Sequence, residues 1–226
     1  MADNTNDNPI TNLEDTYTRL EKYILDNKQT VSIVTGVIVG VLVLYFGFTK
    51  YYIPKREVDA QSQMFVAQKY FDKDSLNLAL NGDNNYPGFL KIINNYKWTQ
   101  AANLSCYYVG NIYLRQHKFD DAIRYFKKFS SDDKVVSVMA LGQIGDAYSE
   151  LNQYNDAEDY YKKAAYKVDD DLTSPMYLQK AAQLAQYNKK FAEAKQLYEE
   201  LKQKYPNTQQ GRDADKYIAE ITTAMN

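Results

Sequence analysis

The segment from Leu141 to Ala164, LGQIGDAYSELNQYNDAEDYYKKA, mixes large and small side chains at helical spacing. Two groups of residues recur at offsets 0, 3, 4 and 7, namely Leu141, Ile144, Gly145 and Tyr148, and then Ala157, Tyr160, Tyr161 and Ala164. Residues with this spacing share one face of an α-helix. Because NQYN interrupts the pattern, the segment predicts two amphipathic helices joined by a tight turn, with glycine and alanine where the helices touch.

The same hairpin pattern recurs on both sides of this segment. Four of its positions repeat 35 residues earlier, at Gly110, Tyr113, Ala122 and Phe126, and two repeat 37 residues later, at Ala194 and Tyr198. A period near 34 residues with G-x-x-Y, then A-x-x-x-F/Y and a closing proline, here Pro206, is typical of the tetratricopeptide repeat (TPR). The chain therefore resembles this repeat family.

The outer repeats depart from the pattern. The third repeat has Ala182 and Ala185 where the central repeats have glycine and tyrosine. Upstream, Gly88 and Ile92 lie 34 residues before the equivalent pair of the next repeat, which predicts a degenerate leading repeat. An exposed end of such an array needs a cover. A last helix is predicted to provide it through Ala214, Tyr217, Ile218 and Ile221.

The predicted fold class is all-α, with an N-terminal single transmembrane helix followed by a tetratricopeptide-repeat helical solenoid and a C-terminal capping helix. We divide the 226 residues into three parts. Residues 1–28 form a polar tail, disordered over residues 1–10, with a short amphipathic helix, residues 29–52 form the transmembrane helix, and residues 53–226 form the repeat domain.

The membrane anchor is predicted from one apolar run. From Gln29 to Thr49 the sequence has 21 residues without a charge, flanked by Lys28 and Lys50. At about 1.5 Å per residue the run spans about 30 Å, the thickness of the hydrocarbon core of a bilayer. The length favours a membrane anchor over a buried soluble helix, and the absence of a small-residue cleavage site argues against a removed signal peptide. Aromatic residues cluster at one end, at Tyr45, Phe46, Tyr51 and Tyr52.

The charges near the anchor do not decide its orientation, because residues 9–28 hold three basic side chains and residues 50–69 hold four. Before the anchor, Thr11 and Glu14 have the spacing of a capping box that would open a helix. One face of that helix carries an apolar stripe, which could dock on a membrane protein or lie on the lipid surface, and both alternatives remain open. The stripe is formed by Leu13, Tyr17, Leu20 and Ile24.

The composition argues against enzymatic catalysis and against nucleic-acid binding. The net charge is −2 and the pI is near 5.5, so no basic surface calls for nucleic acid as a partner. The only histidine, His117, falls in a predicted turn, and the only cysteine, Cys106, falls at a predicted core position. No phosphate-binding glycine motif and no Cys/His metal pattern is present. We therefore predict no enzyme activity, no cofactor and no metal site.

Because no catalytic site is predicted, we expect the function to depend on a binding surface of the repeats. Stacked hairpins present the first helix of each repeat along a groove. The groove is predicted from the repeat alignment to carry Tyr107, Asn111, Arg115, Gly142, Asp146, Glu150, Gln179, Gln183 and Gln186. These amide, carboxylate and phenol groups could hydrogen-bond an extended backbone or a partner helix. The alternative is a polar face that is simply solvated.

One specialised use of such a groove is disfavoured. TPR clamps that hold the C-terminal carboxylate of chaperones place Lys, Asn, Asn, Lys and Arg at set positions. This sequence has Tyr107, Asn111, Gln143, Met176 and Lys180 at those positions, so that two of the five agree. An organelle import receptor that docks cytosolic chaperones is therefore the weakest of the functions considered.

The whole chain resembles the YfgM-type ancillary subunits of the bacterial Sec translocon. The order of short helix, early anchor, linking helix and repeats is similar, and three stretches resemble Bacteroidota members: SQMFVAQKYF, LALNGDNNYPGFLKIINNY and NLSCYYVGNIYL. The resemblance implies a single-pass protein of the bacterial inner membrane with a cytoplasmic N terminus and a periplasmic repeat domain. It also implies a non-enzymatic scaffold or chaperone that partners the SecYEG channel and a PpiD-like membrane-anchored chaperone, with secreted client polypeptides. The alternative is an anchored TPR scaffold of another envelope assembly, in outer-membrane biogenesis or cell division.

Overall fold

The computed structural model describes residues 9–225, with side chains from residue 16 onward. The predicted tail over residues 1–10 falls almost entirely outside this range, and the Thr11–Glu14 capping box and the Leu13 side chain also lie outside the described side chains. The described part contains these α-helices: α1 Pro9–Asp26, α2 Lys28–Gly47, α3 Ile53–Asp72, α4 Leu76–Asn81, α5 Phe89–Asn95, α6 Gln100–Arg115, α7 Phe119–Phe126, α8 Lys134–Glu150, α9 Tyr154–Ala165, α10 Thr173–Tyr187, α11 Phe191–Lys204 and α12 Gln209–Met225. A π-helical segment, Phe48–Tyr52, separates α2 from α3.

The chain divides into two compact units, one ending at Lys55 and one beginning at Arg56. In the first unit, α2 has no buried residue, and its most apolar window has a mean hydropathy of 2.4. By length and composition, this is the one helical stretch in residues 9–225 that could cross a membrane. On α1, the side chains of Tyr17, Leu20 and Ile24 are exposed, as are all the other side chains described on this helix.

In the second unit, α6–α7, α8–α9 and α10–α11 form three helical hairpins, which confirms the predicted repeats. The small residues lie where the paired helices touch. A Cβ atom at Gly145 would come within 2.6 Å of the Tyr161 ring, and one at Gly110 within 2.7 Å of the Phe126 ring. Only glycine allows the aromatic side chain of the second helix to pack this closely on the first.

The turn inside each hairpin has one backbone geometry. Its central residue has a left-handed φ, at 57° for His117, 58° for Asn152 and 60° for Lys189. The following N–H donates to a carbonyl five residues back, as Lys118 does to Tyr113 over 2.9 Å. This closure satisfies the carbonyl groups that the end of the first helix leaves without partners.

The same turn identifies a leading repeat that differs from the predicted one. Asp74 has a φ of 56°, and the N–H of Ser75 donates to the carbonyl of Tyr70 over 2.8 Å. The leading hairpin is therefore α3–α4, and the buried residues Ala67 and Ala79 occupy the positions of Gly110 and Ala122. The turn-to-turn distance is 43 residues here instead of 35, because a longer connection that contains α5 follows α4.

The prediction that Gly88 and Ile92 mark the leading repeat is accordingly wrong. Gly88 lies outside α5, in extended conformation at its N-terminal boundary. Its backbone packs on that of Gly82, so that a Cβ atom at Gly88 would come within 2.3 Å of the Gly82 nitrogen. Ile92 is fully buried, but as part of the core beneath the inserted helix.

The predicted cap is present at the other end of the array. α12 packs on α11, with Ala214 and Ile221 fully buried. The ring of Tyr217 stacks on that of Tyr198 with 4.9 Å between centroids. The apolar side of the third hairpin is thereby removed from water.

Candidate interaction surface

The first helices α6, α8 and α10 each keep one side open to solvent, and we call these sides together the first-helix face. On α8, Val135, Met139 and Glu150 are exposed and Asp146 is partly exposed, whereas the residues between them are buried or partly buried. In the third repeat, the same positions hold Leu172, which directly precedes α10, and Met176, Gln183 and Tyr187 on α10. This face contains most of the groove residues that the sequence predicts.

A series of polar contacts crosses this face, one at each junction between repeats, and we call it the junction ladder. Gln68 donates to the Tyr108 hydroxyl over 3.1 Å at the first junction. Gln143 donates to the Asn111 Oδ1 atom over 3.0 Å at the second. At the third, the Lys180 ammonium lies 2.6 Å from the Asp146 Oδ1 atom. In each contact, the residue that follows the small packing residue of one first helix is bonded to a residue on the first helix of the next repeat. The three pairs are Gln68–Tyr108, Asn111–Gln143 and Asp146–Lys180.

Two predicted groove residues are therefore engaged within the chain. Asn111 accepts a hydrogen bond from Gln143. Asp146 accepts hydrogen bonds from Lys180 and from the Tyr161 hydroxyl, which donates to Oδ1 over 2.6 Å. Burial raises the pKa of Tyr161 well above its ordinary value, and the negative charge of Asp146 adds to this effect. The phenol is therefore protonated at neutral pH and donates its hydrogen bond to Asp146.

Two further predicted residues pack against neighbouring side chains. Tyr107 is half-buried, and its ring centroid lies 5.8 Å from that of Phe126 and 5.3 Å from that of Phe129. Arg115 is paired with Asp74 at 3.3 Å, and its guanidinium lies 4.7 Å above the Phe71 ring. Truncation of either side chain would therefore remove contacts within the protein as well as any contact with a partner.

The remaining predicted residues fall into two classes. Glu150 and Gln183 are exposed, and Gln179 and Gln186 are half-buried, so that these side chains are accessible on the first-helix face. Gly142 is buried, because the Tyr177 ring covers it so closely that a Cβ atom would come within 2.1 Å. The prediction that Gly142 lines the groove is therefore wrong.

We expect the junction ladder to contribute measurably to the coupling between repeats. A double-mutant cycle with Asp146→Asn and Lys180→Met should give a coupling free energy of about 0.5–1 kcal/mol, since both side chains are only partly exposed. The matched control is the Lys202–Asp215 pair, which joins α11 to α12 at 2.7 Å but is mostly exposed. Urea unfolding followed by circular dichroism measures both values, and equal coupling in the two pairs would contradict the expectation.

The groups considered for catalysis lie apart. Cys106 is buried at 6 % exposure, and burial raises the pKa of its thiol. His117 is exposed in the turn between α6 and α7. Among the residues that the structure describes, no group of three or more His, Cys, Asp or Glu side chains could hold a metal ion. Nothing in this part of the chain indicates a catalytic site.

Sequence reasoning missed the apolar members of the first-helix face. Val135 and Met139 on α8 recur 37 residues later as Leu172, directly before α10, and Met176 on α10, and all four are exposed. The signal was present in the sequence, because the third repeat follows the second by the same 37 residues. It was overlooked because large apolar residues in a repeat are normally assigned to the core.

Comparison with known proteins supports the repeat architecture. Residues 140–166 and residues 177–208 each match a tetratricopeptide repeat family, and these ranges coincide with the second and third hairpins. Two solved structures are similar in fold. One contains the nearly identical TPR-like repeats of a Podosopora anserina protein described as a kinesin light chain, and the other is a single-residue variant of it.

Both structures share 12 % sequence identity with this chain and cover 73 % of it and 85 % of their own length, with TM-scores of 0.51 and 0.50. At this identity the likeness concerns the fold alone. Among curated protein sequences, none matches the chain significantly. The protein therefore contains tetratricopeptide repeats in a TPR-like helical fold, the kind of architecture that serves as a protein-interaction scaffold and is generally non-catalytic.

Proposed function

We propose that this protein is a membrane-anchored, non-enzymatic scaffold or chaperone that acts as an ancillary subunit of a Sec protein-translocation channel. The observation that carries the proposal is the first-helix face. Packing within the repeats leaves Met139, Glu150, Met176 and Gln183 at least partly accessible on a framework whose turns and junctions are hydrogen-bonded. A backbone framework that is ordered before binding lowers the conformational cost of binding, because the helices that present these side chains do not have to fold on the partner.

The anchoring part of the proposal rests on α2. A helix of 20 residues that is apolar on all sides and has no buried residue in its own chain has no favourable place in water. The aromatic residues Tyr45, Tyr51 and Tyr52 would lie at one membrane–water interface. We place the protein in a bacterial inner membrane with the N terminus in the cytoplasm and the repeats in the periplasm. This sidedness is supported by the family resemblance alone.

The proposed partners are a SecYEG-type channel and a PpiD-like membrane-anchored chaperone, and the support for both is again the resemblance. The exposed stripe on α1 is a second candidate docking surface, in addition to the first-helix face. Tyr17, Leu20 and Ile24 are exposed there only a few residues before the apolar α2, where a neighbouring membrane protein or the lipid surface could cover them.

Co-purification in mild detergent tests the proposal. We expect the full chain to recover channel subunits, and a chimera with an unrelated anchor in place of residues 11–52 to lose them. A matched variant, Glu150→Ala with Gln183→Ala, alters only exposed side chains of the first-helix face. It should keep the channel if docking occurs through the membrane segment, but lose bound client polypeptides.

Other recoveries would contradict the assignment. Outer-membrane biogenesis or cell-division factors in place of channel subunits would indicate a scaffold of another envelope assembly. Cytosolic chaperones would indicate an import receptor. If neither the chimera nor the face variant changed what is recovered, neither surface would be the docking site.

A further inference from the structure

The first-helix face carries an apolar strip that the proposed function does not explain. Met139 on α8 and Met176 on α10 are 40 % and 36 % exposed, and one turn earlier Val135 and Leu172 are more exposed still. Single exposed apolar residues are common, but here two exposed apolar residues recur 37 positions later at the corresponding part of the next repeat. Methionine side chains are flexible and polarizable, which suits contact with apolar side chains of varied shape.

The other end of the same face is acidic. A cavity of about 310 Å³ opens between the first two repeats, with Leu114, Phe119 and the imidazole of His117 on one side and Asp146 and Glu150 on the other. Both hydrogen bonds to Asp146 fall on its Oδ1 atom. Glu150 is exposed, and no ion pair in the described part of the chain involves it.

The charge balance of the face favours a cationic occupant. The basic side chains of α6 and α10 are already neutralised, because Arg115 is paired with Asp74 and Lys180 with Asp146. The basic residue of α8, Lys134, begins that helix, at the opposite end from Glu150. Glu150 therefore supplies the remaining net charge, at the mouth of a cavity that is partly apolar. An anionic side chain in this place would be repelled, whereas the aliphatic stem of lysine or arginine could line the apolar wall with its charge at the carboxylates.

We infer that the first-helix face binds a polypeptide segment in which an arginine or lysine lies close to large apolar side chains. The basic side chain occupies the acidic cavity, and the apolar side chains lie on the strip formed by Val135, Met139, Leu172 and Met176. Met139 and Glu150 are about 16 Å apart along α8, since each helical residue rises about 1.5 Å. An extended chain covers that distance in about five residues. This inference rests on the proposed function, because it names the partner chemistry of the proposed interaction surface.

Binding of synthetic peptides to the full chain in non-ionic detergent tests the inference by fluorescence anisotropy. The probe carries one arginine, a spacer of about five glycine and serine residues, and two leucines. A second peptide has glutamate in place of arginine, and a third has serine in place of the leucines. We expect the first peptide to bind on the order of tenfold more tightly than either of the others, and its affinity to fall as salt is raised.

Charge reversal in the protein provides the decisive comparison. Glu150→Lys should lower the affinity for the arginine peptide and raise the affinity for the glutamate peptide, so that the preference between the two peptides is reversed. The matched control is Asp159→Lys, the same change at an exposed position of α9, a second helix, which should leave the preference as it is. Met139→Ser combined with Met176→Ser should lower the affinity for both leucine-containing peptides by a similar factor.

Each alternative result has a defined meaning. If Glu150→Lys leaves the preference unchanged, or Asp159→Lys alters it equally, the inference is overturned. If both charged peptides bind equally and lose affinity with the methionine variant, the face binds polypeptides but not by charge, so the inference fails while the proposed scaffold stands. If no peptide binds, the inference is also overturned, and co-purification alone then decides the proposed function.

Discussion

Gly145→Leu should unfold the second repeat or destabilise it severely. Even a Cβ atom at this position would lie 2.6 Å from the Tyr161 ring, and the ring cannot withdraw easily because its hydroxyl is bonded to Asp146. Overpacking a core typically costs about 1–3 kcal/mol, and this site should reach or exceed the upper end. A loss of about 3 kcal/mol would lower the melting temperature of a domain of this size by about 6–12 °C. Thermal unfolding followed by circular dichroism measures the change.

Two alanine positions provide the matched comparison. Ala157→Leu places the same large side chain at a fully buried position of the same hairpin and should also be strongly destabilising. Ala192→Leu makes the identical substitution at an exposed position near the start of α11 and should change the melting temperature little. Asn155→Ala, exposed in the first turn of α9, should also have little effect. Equal melting temperatures for the buried and exposed variants would contradict the close packing of the hairpin.

Removal of both lysines that hold Glu158 should have the second large effect. Glu158 is only 1 % exposed. It forms ion pairs with Lys162 of its own helix at 2.5 Å and with Lys190, in the turn between α10 and α11, at 3.0 Å. Leaving a buried carboxylate without its cations costs about 3 kcal/mol or more. We therefore expect Lys162→Met with Lys190→Met to lower the free energy of unfolding by about that amount at pH 7, as measured by urea titration.

Controls separate burial of charge from loss of surface lysines. Adding Glu158→Leu to the double variant removes the unpaired charge and should restore most of the stability. Lys202→Met with Lys204→Met removes two exposed ion pairs and should cost less than about 1 kcal/mol. A triple variant as unstable as the double variant would show that the lysines act through packing or through the pairing of Lys162 with Glu193, rather than through the Glu158 charge.

The pH dependence of this effect follows from the direction of the pKa shift. Burial alone would raise the pKa of Glu158, but the hydrogen bonds and charges of Lys162 and Lys190 outweigh it and lower the pKa below its ordinary 4.5. The native chain therefore has the full stabilising contribution above about pH 4.5 and loses it as the pH falls through the lower native pKa. Without the lysines, burial raises the pKa, so the stability difference between the two proteins should narrow under acidic conditions.

The hairpins could be predicted from sequence because their determinants are local. The glycine that receives an aromatic ring, as Gly145 receives Tyr161, lies in the same hairpin at a fixed spacing, so that periodicity alone reveals the pair. The leading repeat was misplaced because its distance to the next turn is 43 residues rather than 35. The pattern Ala67-x-x-Tyr70 with Ala79 was present, but the longer connection with α5 shifted it out of register.

The candidate site was harder to predict because it depends on contacts between repeats. Asn111 and Asp146 have the polarity of groove residues, yet the first helix of the next repeat supplies a hydrogen-bonding partner to each of them. Nothing in a single repeat shows that Gln143 or Lys180 will lie opposite. For the same reason, Gly142 could not be recognised as covered until the position of the Tyr177 ring was known.

The chemical variety of the junction ladder has a consequence for how this array could grow or rearrange. Its three contacts are an amide with a phenol, an amide with an amide and a carboxylate with an ammonium ion. A tandem duplication of the second repeat would create an additional junction, in which Asp146 faces a copy of Gln143 instead of an ammonium ion. Insertion of the third repeat directly after the first would set Lys180 against the neutral Asn111. Each junction is thus formed by chemically matched groups that another pair of repeats would not supply. This disfavours a changed order of the repeats and the exchange of hairpins between copies during folding.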